Sequence, residues 1–178
     1  RYTAEDEAID IPARLAELAA YLKEKTERLG LPMPRFLMEP GRSIVADAGM
    51  TLYTVGSVKR IPGYKQYAAV DGGMTDNPRY ALYQSRYTVY HAHKSGSMER
   101  FDVVGRCCES GDIIQPGVEL PGDTCRGDIL AVCTTGAYNY SMASNYNRLP
   151  RPAVVMLTPD RIYEAVRRET FADLTGLD

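Results

Sequence analysis

Short apolar runs with alternating polarity follow one another from Ala48 to the end of the chain, separated by Gly, Pro, Asp and Ser. Such runs with turn residues between them predict β-strands. A series of them predicts a β-barrel or β-sandwich domain. The runs are TLYTVGSVKRI, QYAAVDGG, RYTVYHAH, ERFDVVG, GDILAVCTT, AVVMLTP and RIYEAVRRE. The small-residue segment SMASNYN is predicted to be a helical turn or a loop.

A different pattern precedes these strands. The segment DIPARLAELAAYLKEKTERLG has leucines at helical spacing and charges on the other face, which predicts a helix. Asp10 is a fitting cap, Pro12 is tolerated in the first turn, and Gly30 ends the segment. The following RFLMEPG is short and apolar, and it predicts a buried strand that runs into a Pro-Gly loop.

A helix followed by a buried strand is the repeat of an α/β barrel. The sequence therefore predicts a mainly β chain in two parts. Residues 1–45 would be the last helix and strand of an α/β, TIM-like barrel, and residues 46–178 would be an all-β domain. The chain begins at Arg1 without an initiator Met, so we expect it to be part of a longer protein.

Composition limits the classes of function. A net charge of −2 and a pI of about 5.8 give no reason to expect binding to nucleic acid or to a membrane surface. No apolar run approaches the length of a membrane span. The four cysteines, without a recognisable secretory leader, indicate a reducing compartment and a cytoplasmic protein.

MEPGR places Glu39 and Arg42 at the carboxyl end of the predicted buried strand, which is the end that carries active sites in α/β barrels. A buried Glu favours a cationic partner such as a protonated heterocycle, and Arg42 is suited to clamp a carboxylate. A Glu–Arg ion pair at a strand end is the simpler interpretation.

In DGGMTDNPRYALY, a helical turn begun by Pro78 would put Arg79 and Tyr83 on one face, where they could bind an anion. A turn with a solvated Arg is the alternative.

The stretch RCCESGD places Cys108 and Glu109 side by side before a tight turn. A proton-transferring thiol beside a ligand-binding carboxylate is one interpretation, and an incidental pair of cysteines before a turn is the other. TTGAYNYSMASNYN carries Tyr138 in a loop whose small residues permit close approach to a ligand.

The imidazoles of His91 and His93 would share one strand face. Without a third ligand nearby, we favour a solvated face over a metal site, and we predict no metal.

EPGR, DGGMTDNPRYALY, CESGD and GAYNYSMASNYN, in this order and spacing, resemble the diaminopimelate decarboxylases. These are pyridoxal 5'-phosphate (PLP) enzymes that make lysine from meso-diaminopimelate. The resemblance runs from about residue 30 to the end of the chain. It implies that Glu39 pairs with the pyridine nitrogen of PLP, that Tyr138 lies beside the cofactor near its phosphate, and that Cys108 is the acid that protonates the carbanion after decarboxylation.

The same resemblance implies that Arg42, Arg79 and Tyr83 hold the distal carboxylate of the substrate and that Glu109 binds its distal ammonium. In this family the Cys–Glu pair acts across a homodimer interface, so that two subunits share their sites. No lysine here lies in a motif that matches the family's Schiff-base lysine, so we expect the chain alone to be inactive. An ornithine-, arginine- or carboxynorspermidine-type decarboxylase, or a free-standing dimerisation or regulatory β-domain, is the alternative.

Overall fold

A computed structural model describes residue 3, residues 5–176 and residue 178. Four helices and eight strands follow one another along these residues, with three-residue 3₁₀ turns between some of them. They are α1 (Ile11–Leu29), α2 (Arg42–Val45), β1 (Met50–Arg60), β2 (Gln66–Val70), α3 (Arg79–Tyr83), β3 (Val89–His91), β4 (Met98–Val104), β5 (Ile113–Pro121), β6 (Ile129–Cys133), β7 (Val154–Leu157), β8 (Ile162–Val166) and α4 (Phe171–Thr175).

Six strands form one sheet in the order β3-β6-β1-β2-β4-β5. Every pairing is antiparallel except that of β2 with β4. The two outer strands contact each other, and the backbone N–H of Tyr87 donates to Oε1 of Gln115 at 2.8 Å. The sheet is therefore a nearly closed barrel, and the prediction of a mainly β fold is confirmed.

The core lies inside this barrel. Alternate residues of each strand point inward, as the period of two in the sequence predicts. They bury one continuous cluster of aliphatic and aromatic side chains. Its completely buried members include Val55, Phe101, Val103, Ile114, Leu120, Leu130 and Val132. Burial of each large side chain contributes roughly 1.5–3 kcal/mol, so this cluster is the main source of stability for the barrel.

Strand β5 was not predicted, because Pro116 and Gly117 interrupt its apolar pattern. Gly117 has φ +67°, a conformation that favours glycine. The register with β4 shifts near this point. Proline is tolerated here because β5 is at one end of the strand order and pairs with β4 alone.

Helix α1 forms where the sequence predicts it. The Asp10 side chain accepts the N–H of Ala13 at 3.0 Å, and Gly30 ends the helix with φ +62°. Its leucines remain at least partly exposed, with Leu18 37% exposed and Leu29 62% exposed. The helix is thus formed by local signals, and its apolar face is not covered by the described part of the chain.

The predicted buried strand in RFLMEPG is not formed. Residues 35–41 are exposed and belong to no helix or strand. A strand requires a neighbour for its backbone N–H and C=O groups, and no sheet pairing among residues 5–176 includes this segment. The boundary near residue 46, and the assignment of residues 1–45 to an α/β barrel, therefore stay predictions.

The last strands form a separate hairpin, in which β7 pairs with β8. Both strands were predicted, whereas the short helix α4 was not. A capping box starts α4: Thr170 accepts the N–H of Asp173, and the Asp173 carboxylate accepts the N–H of Thr170 at 2.7 Å. The Thr-x-x-Asp spacing is a sequence signal that could have predicted this helix. Within the described ranges, none of the helices combines the length and apolar character that a bilayer crossing requires.

Candidate active site

The four motifs singled out in the sequence meet at one end of the barrel. The strand registers bring together the start of β1, the end of β2, the end of β4, the start of β5 and the end of β6. The connections at this end contain EPGR, DGGMTDNPR, CCESGD and TTGAY. Segments that are far apart in sequence thus form one surface.

Arg79 lies between two tyrosines on this surface. It starts α3, directly after Pro78. Its guanidinium carbon is 4.5 Å from the ring centroid of Tyr83 and 4.8 Å from that of Tyr138. The Tyr83 contact agrees with the predicted helical face, and the Tyr138 contact brings a second predicted site residue to the same cation. Both distances suit cation–π attraction, which holds the guanidinium in place.

The loop that carries Tyr138 is attached to the segment that carries Arg42. The N–H of Gly136 donates to the carbonyl of Ala46 at 3.0 Å, and the N–H of Thr135 donates to the carbonyl of Gly49 at 3.0 Å. A Cβ on Gly136 would collide with the carbonyl oxygen of Val45. Glycine is therefore required at 136, because the two backbones touch there.

Glu39 and Arg42 flank the Pro-Gly turn. Glu39 is exposed at the end of the segment that forms no strand, and Arg42 is the first residue of α2. Arg42 thus starts the helix that leads into Ala46, the residue bonded to the Tyr138 loop, and the Glu39 carboxylate is exposed.

Cys108 and Glu109 are both exposed on the connection between β4 and β5. An Oε1 atom of Glu109 accepts the N–H of Gly111 at 3.1 Å and the hydroxyl of Ser110 at 3.3 Å, within its own turn. The neighbouring Cys107 is half-buried. Burial and the adjacent Asp112 carboxylate raise the pKa of the Cys107 thiol to about 11. The two cysteines therefore differ in accessibility, and Cys108 is the one that faces solvent.

Asp112 connects this turn to the connection between β2 and β3. Its side chain is buried, and its oxygens accept the N–H of Met74 at 2.6 Å and the N–H of Cys107 at 2.7 Å. The backbone adds two more bonds: Gly105 donates to the carbonyl of Asp112 at 2.9 Å, and Arg106 donates to that of Gly72 at 3.3 Å. The Cys108–Glu109 turn is thereby held against the segment that leads into Arg79.

A second, partly buried carboxylate shapes the Gly-Gly turn. Asp76 accepts the N–H of Gly73 at 2.8 Å and the hydroxyl of Tyr53, which is buried on β1. Burial raises the pKa of the Asp76 carboxyl, although both hydrogen bonds favour its ionised form. Burial and the nearby Asp76 raise the pKa of the Tyr53 hydroxyl well above its usual value. The pair fixes the turn to the barrel wall.

The long loop after β6 joins the same assembly. The N–H of Ser144 donates to the carbonyl of Thr75 at 2.8 Å, and the hydroxyl of Tyr87 donates to Oδ1 of Asn139 at 3.3 Å. Sequence reasoning assigned no role to Asp112, Asp76 or Tyr53. The positions of Asp112 and Asp76 after Gly-containing turns were the available signal, and such turns are too common to be specific.

The histidines of HAH lie at the opposite end of the barrel, since β3 runs away from the candidate site. The side chain of His91 is 2% exposed, with Nε2 3.1 Å from the Asp128 carboxylate. Its Nδ1 accepts the N–H groups of His93 at 3.2 Å and Lys94 at 2.9 Å. The expectation of a solvated face is wrong for His91, because β3 ends there and the chain turns over the ring.

No group of three or more His, Cys, Asp or Glu among the described residues is arranged to hold a metal ion. The candidate site offers charged, thiol and aromatic groups. Arg79 offers a positive charge between two rings, Glu109 an accessible carboxylate, and Cys108 an accessible thiol. The exposed ring of Tyr138 offers a flat surface to a ligand.

Comparisons with known proteins identify the family of this chain. Residues 9–136 match the family model described as "Pyridoxal-dependent decarboxylase, C-terminal sheet domain". The diaminopimelate decarboxylase of Bacillus subtilis is 48% identical over 180 aligned residues, which cover 100% of this chain and 41% of that protein. The chain thus spans about two fifths of the length of this relative.

Two solved structures of diaminopimelate decarboxylases are also similar to this chain. A diaminopimelate decarboxylase from M. jannaschii in complex with L-lysine superposes with a TM-score of 0.87 at 33% identity, covering 99% of this chain and 40% of that one. One from Helicobacter pylori, also complexed with L-lysine, gives a TM-score of 0.80 at 33% identity, with 98% and 41% covered. The chain belongs to the pyridoxal-dependent decarboxylase family, as its C-terminal sheet domain.

Proposed function

We propose that this chain is the carboxyl-terminal part of a PLP-dependent decarboxylase that converts meso-2,6-diaminopimelate to L-lysine and carbon dioxide. The observation that carries the proposal is the Arg79 guanidinium held between Tyr83 and Tyr138, at the end of the barrel that also presents Cys108 and Glu109. The high similarity to relatives named diaminopimelate decarboxylase supports it.

The residues present fit PLP. When bound, this cofactor supplies an electron sink for the pair left by the broken carbon–carboxylate bond. The exposed ring of Tyr138 suits its flat body, and the Arg79 guanidinium beside that ring suits its negative charge. Glu39 would pair with its pyridine nitrogen and keep that nitrogen protonated, because a carboxylate favours an adjacent cation.

The far end of the substrate carries a carboxylate and an ammonium group. Arg42, Arg79 and Tyr83 would hold the carboxylate, and Glu109 would hold the ammonium. Such polar partners select against amino acids that lack the second carboxylate, since the partners would then be left unpaired. Cys108 would donate a proton to the carbon from which carbon dioxide has departed.

We further propose that the enzyme is a cytoplasmic homodimer with shared active sites. Cys108 and Glu109 are exposed on their turn and are therefore available to a second copy of the chain. In a two-fold dimer each subunit would give this pair to its neighbour and receive the same pair in return.

Carbon dioxide release by the full-length enzyme, with PLP and with meso-diaminopimelate or L-ornithine supplied in parallel, tests the reaction. Turnover of meso-diaminopimelate alone is expected. Turnover of ornithine instead would contradict the role of Arg79 in holding the distal carboxylate while leaving the fold intact.

Glu109→Gln tests the recognition of the distal ammonium. It should raise KM for meso-diaminopimelate more than it lowers kcat, because the interaction is present before and during the reaction. Glu164→Gln, an exposed position on β8, is the matched control and should change neither constant. A fall in kcat with unchanged KM would remove this role from Glu109.

A further inference from the structure

The Asp112 carboxylate lies where two segments of the candidate site meet. One segment, residues 72–76, leads into Arg79. The other, residues 105–111, carries Cys108 and Glu109. One backbone N–H from each segment, Met74 at 2.6 Å and Cys107 at 2.7 Å, donates to this single carboxylate. A carboxylate that accepts several N–H groups is a strong, directional anchor.

The space around the carboxylate is closed by glycines of the same two segments. A Cβ on Gly73 would lie 2.5 Å from an Asp112 oxygen, and a Cβ on Gly105 would lie closer still. The side chain of Asp112 is also buried from solvent. Both segments are therefore wrapped around one group, and a displaced carboxylate would move both of them.

We propose that Asp112 is a positioning residue that fixes the Cys108–Glu109 turn, which the proposed dimer gives to the neighbouring subunit, against the segment that carries Arg79 in the chain's own site. The expected effect on catalysis rests on the proposed function, whereas the link between the two segments does not. A further direct link between the two segments, among the described residues, is the bond from Arg106 N–H to the Gly72 carbonyl, at 3.3 Å. That length is at the weak end for N–H···O bonds, so the carboxylate carries most of the connection.

Asp112→Asn tests the proposal in the full-length enzyme. The amide has nearly the same shape, but its NH₂ group would face one of the two N–H donors and repel it. Displacement of reacting groups by about 1 Å costs up to roughly a hundredfold in rate. We expect kcat/KM for meso-diaminopimelate to fall by at least about tenfold, with a higher KM through Glu109 and a lower kcat through Cys108.

Asp128→Asn is the matched control. Asp128 also follows a glycine in a turn and accepts a backbone N–H from a cysteine, Cys125, at 2.8 Å. It precedes β6, whereas the Tyr138 loop follows β6, so a strand of roughly 17 Å separates it from the site. The Asp128→Asn substitution should lower stability and leave KM and kcat within about twofold of the unsubstituted enzyme. Equal kinetic losses in the two variants would reduce the role of Asp112 to stability and overturn the proposal.

Hydrogen exchange separates this proposal from the proposed function. In the unsubstituted enzyme the amides of Met74 and Cys107 should be protected, and Asp112→Asn should accelerate both together. Asp128→Asn should accelerate only amides near its own turn. If these exchange results appear but meso-diaminopimelate is not decarboxylated, the anchor stands and the proposed function fails.

Unprotected Met74 or Cys107 amides in the unsubstituted enzyme would overturn the anchor, even if Asp112→Asn cannot be folded. Unchanged kinetics in a folded Asp112→Asn enzyme would also overturn it. The thiol of Cys107 adds an independent readout, because loss of the neighbouring negative charge should make its alkylation faster at a given pH.

Discussion

Two Gly-Asp turns stand at opposite ends of the barrel and look alike in sequence. One is RCCESGD, which ends at Asp112, and the other is GDTCRGD, which ends at Asp128. In each, the aspartate accepts the backbone N–H of a nearby cysteine, from Cys107 at 2.7 Å or from Cys125 at 2.8 Å. Local sequence therefore produces the same turn-closing bond twice.

The two turns differ in what completes the environment of the aspartate. Asp112 is 4% exposed and takes its second N–H from Met74, in a different connection at the candidate site. Asp128 instead pairs with the Lys94 ammonium at 2.8 Å and lies 3.1 Å from His91. One aspartate thus joins two site segments through backbone dipoles, and the other closes the far end of the barrel through an ion pair.

The largest effect is expected for Gly105→Ala. Its Cβ would collide with both oxygens of Asp112 in a closed space, so either the carboxylate or the backbone must move. Overpacking of this kind costs about 1–3 kcal/mol, and activity should fall as in Asp112→Asn. Thermal unfolding with parallel kinetics measures both. Gly111→Ala, whose Cβ would meet only Glu109 Oε1 at 3.6 Å, is the stability control from the same turn. Equal thermal unfolding midpoints for Gly105→Ala and Gly111→Ala would contradict the close packing around Asp112.

The thiols of the two turns should differ in reactivity. Because the pKa of Cys107 is raised to about 11 by burial and by Asp112, few of its thiols are ionised near neutral pH. The exposed Cys125 should be alkylated more than about tenfold faster. Labelling rates of variants that retain one cysteine each give the comparison. Equal alkylation rates for the two thiols, with Cys107 reacting fully below about pH 9, would show that burial and Asp112 do not suppress ionisation of the Cys107 thiol.

Asp128→Asn should cost about 1–2 kcal/mol at neutral pH, as for a lost charge-assisted bond. Burial opposes ionisation of Asp128, but Lys94, the Cys125 N–H and His91 outweigh it and hold the pKa of the carboxyl below its usual value. A depressed folded pKa contributes stability above the unfolded pKa of about 3.9 and loses it as pH falls through the folded value. Urea unfolding across this range should therefore show the variant and the unsubstituted protein converging below about pH 4. A difference in the free energy of unfolding that stays constant down to the lowest pH would contradict the ion pair.

The smallest effect is expected for Asp123→Asn, in the same turn as Asp128. Its carboxylate is 3.8 Å from the Lys94 ammonium and its side chain is 72% exposed. Water and salt screen such a pair. The thermal midpoint should change by less than about 1 °C. A fall in the thermal midpoint comparable to that of Asp128→Asn would show that the ion pairs of Lys94 with both carboxylates contribute to stability.

The sequence predicted the features that depend on near neighbours. Helix α1 has its cap and its stop within its own residues, and the alternation in β1, β2, β4 and β6 predicts strands. The spacing of Arg79 and Tyr83 predicts their contact, because one helical turn separates them.

Features that depend on distant neighbours were missed. Strand β5 contains Pro116 and Gly117 and forms because β4 lies beside it at the edge of the barrel. Residues 35–41 have a strand-like composition and form none, since no strand in the described part of the chain pairs with them. The apolar pattern alone does not supply a pairing partner.

The candidate site shows the same division. The residue types and their spacing in EPGR, DGGMTDNPRYALY, CESGD and GAY, by their resemblance to one family, were enough to nominate the site residues and the chemistry. Only the tertiary structure decided that Arg79 meets Tyr138, that His91 is buried, and that Asp112 rather than Asp128 joins two site segments. The physical reason is that turn chemistry acts over a few residues, whereas burial and the second hydrogen-bond partner come from strands placed side by side by the barrel.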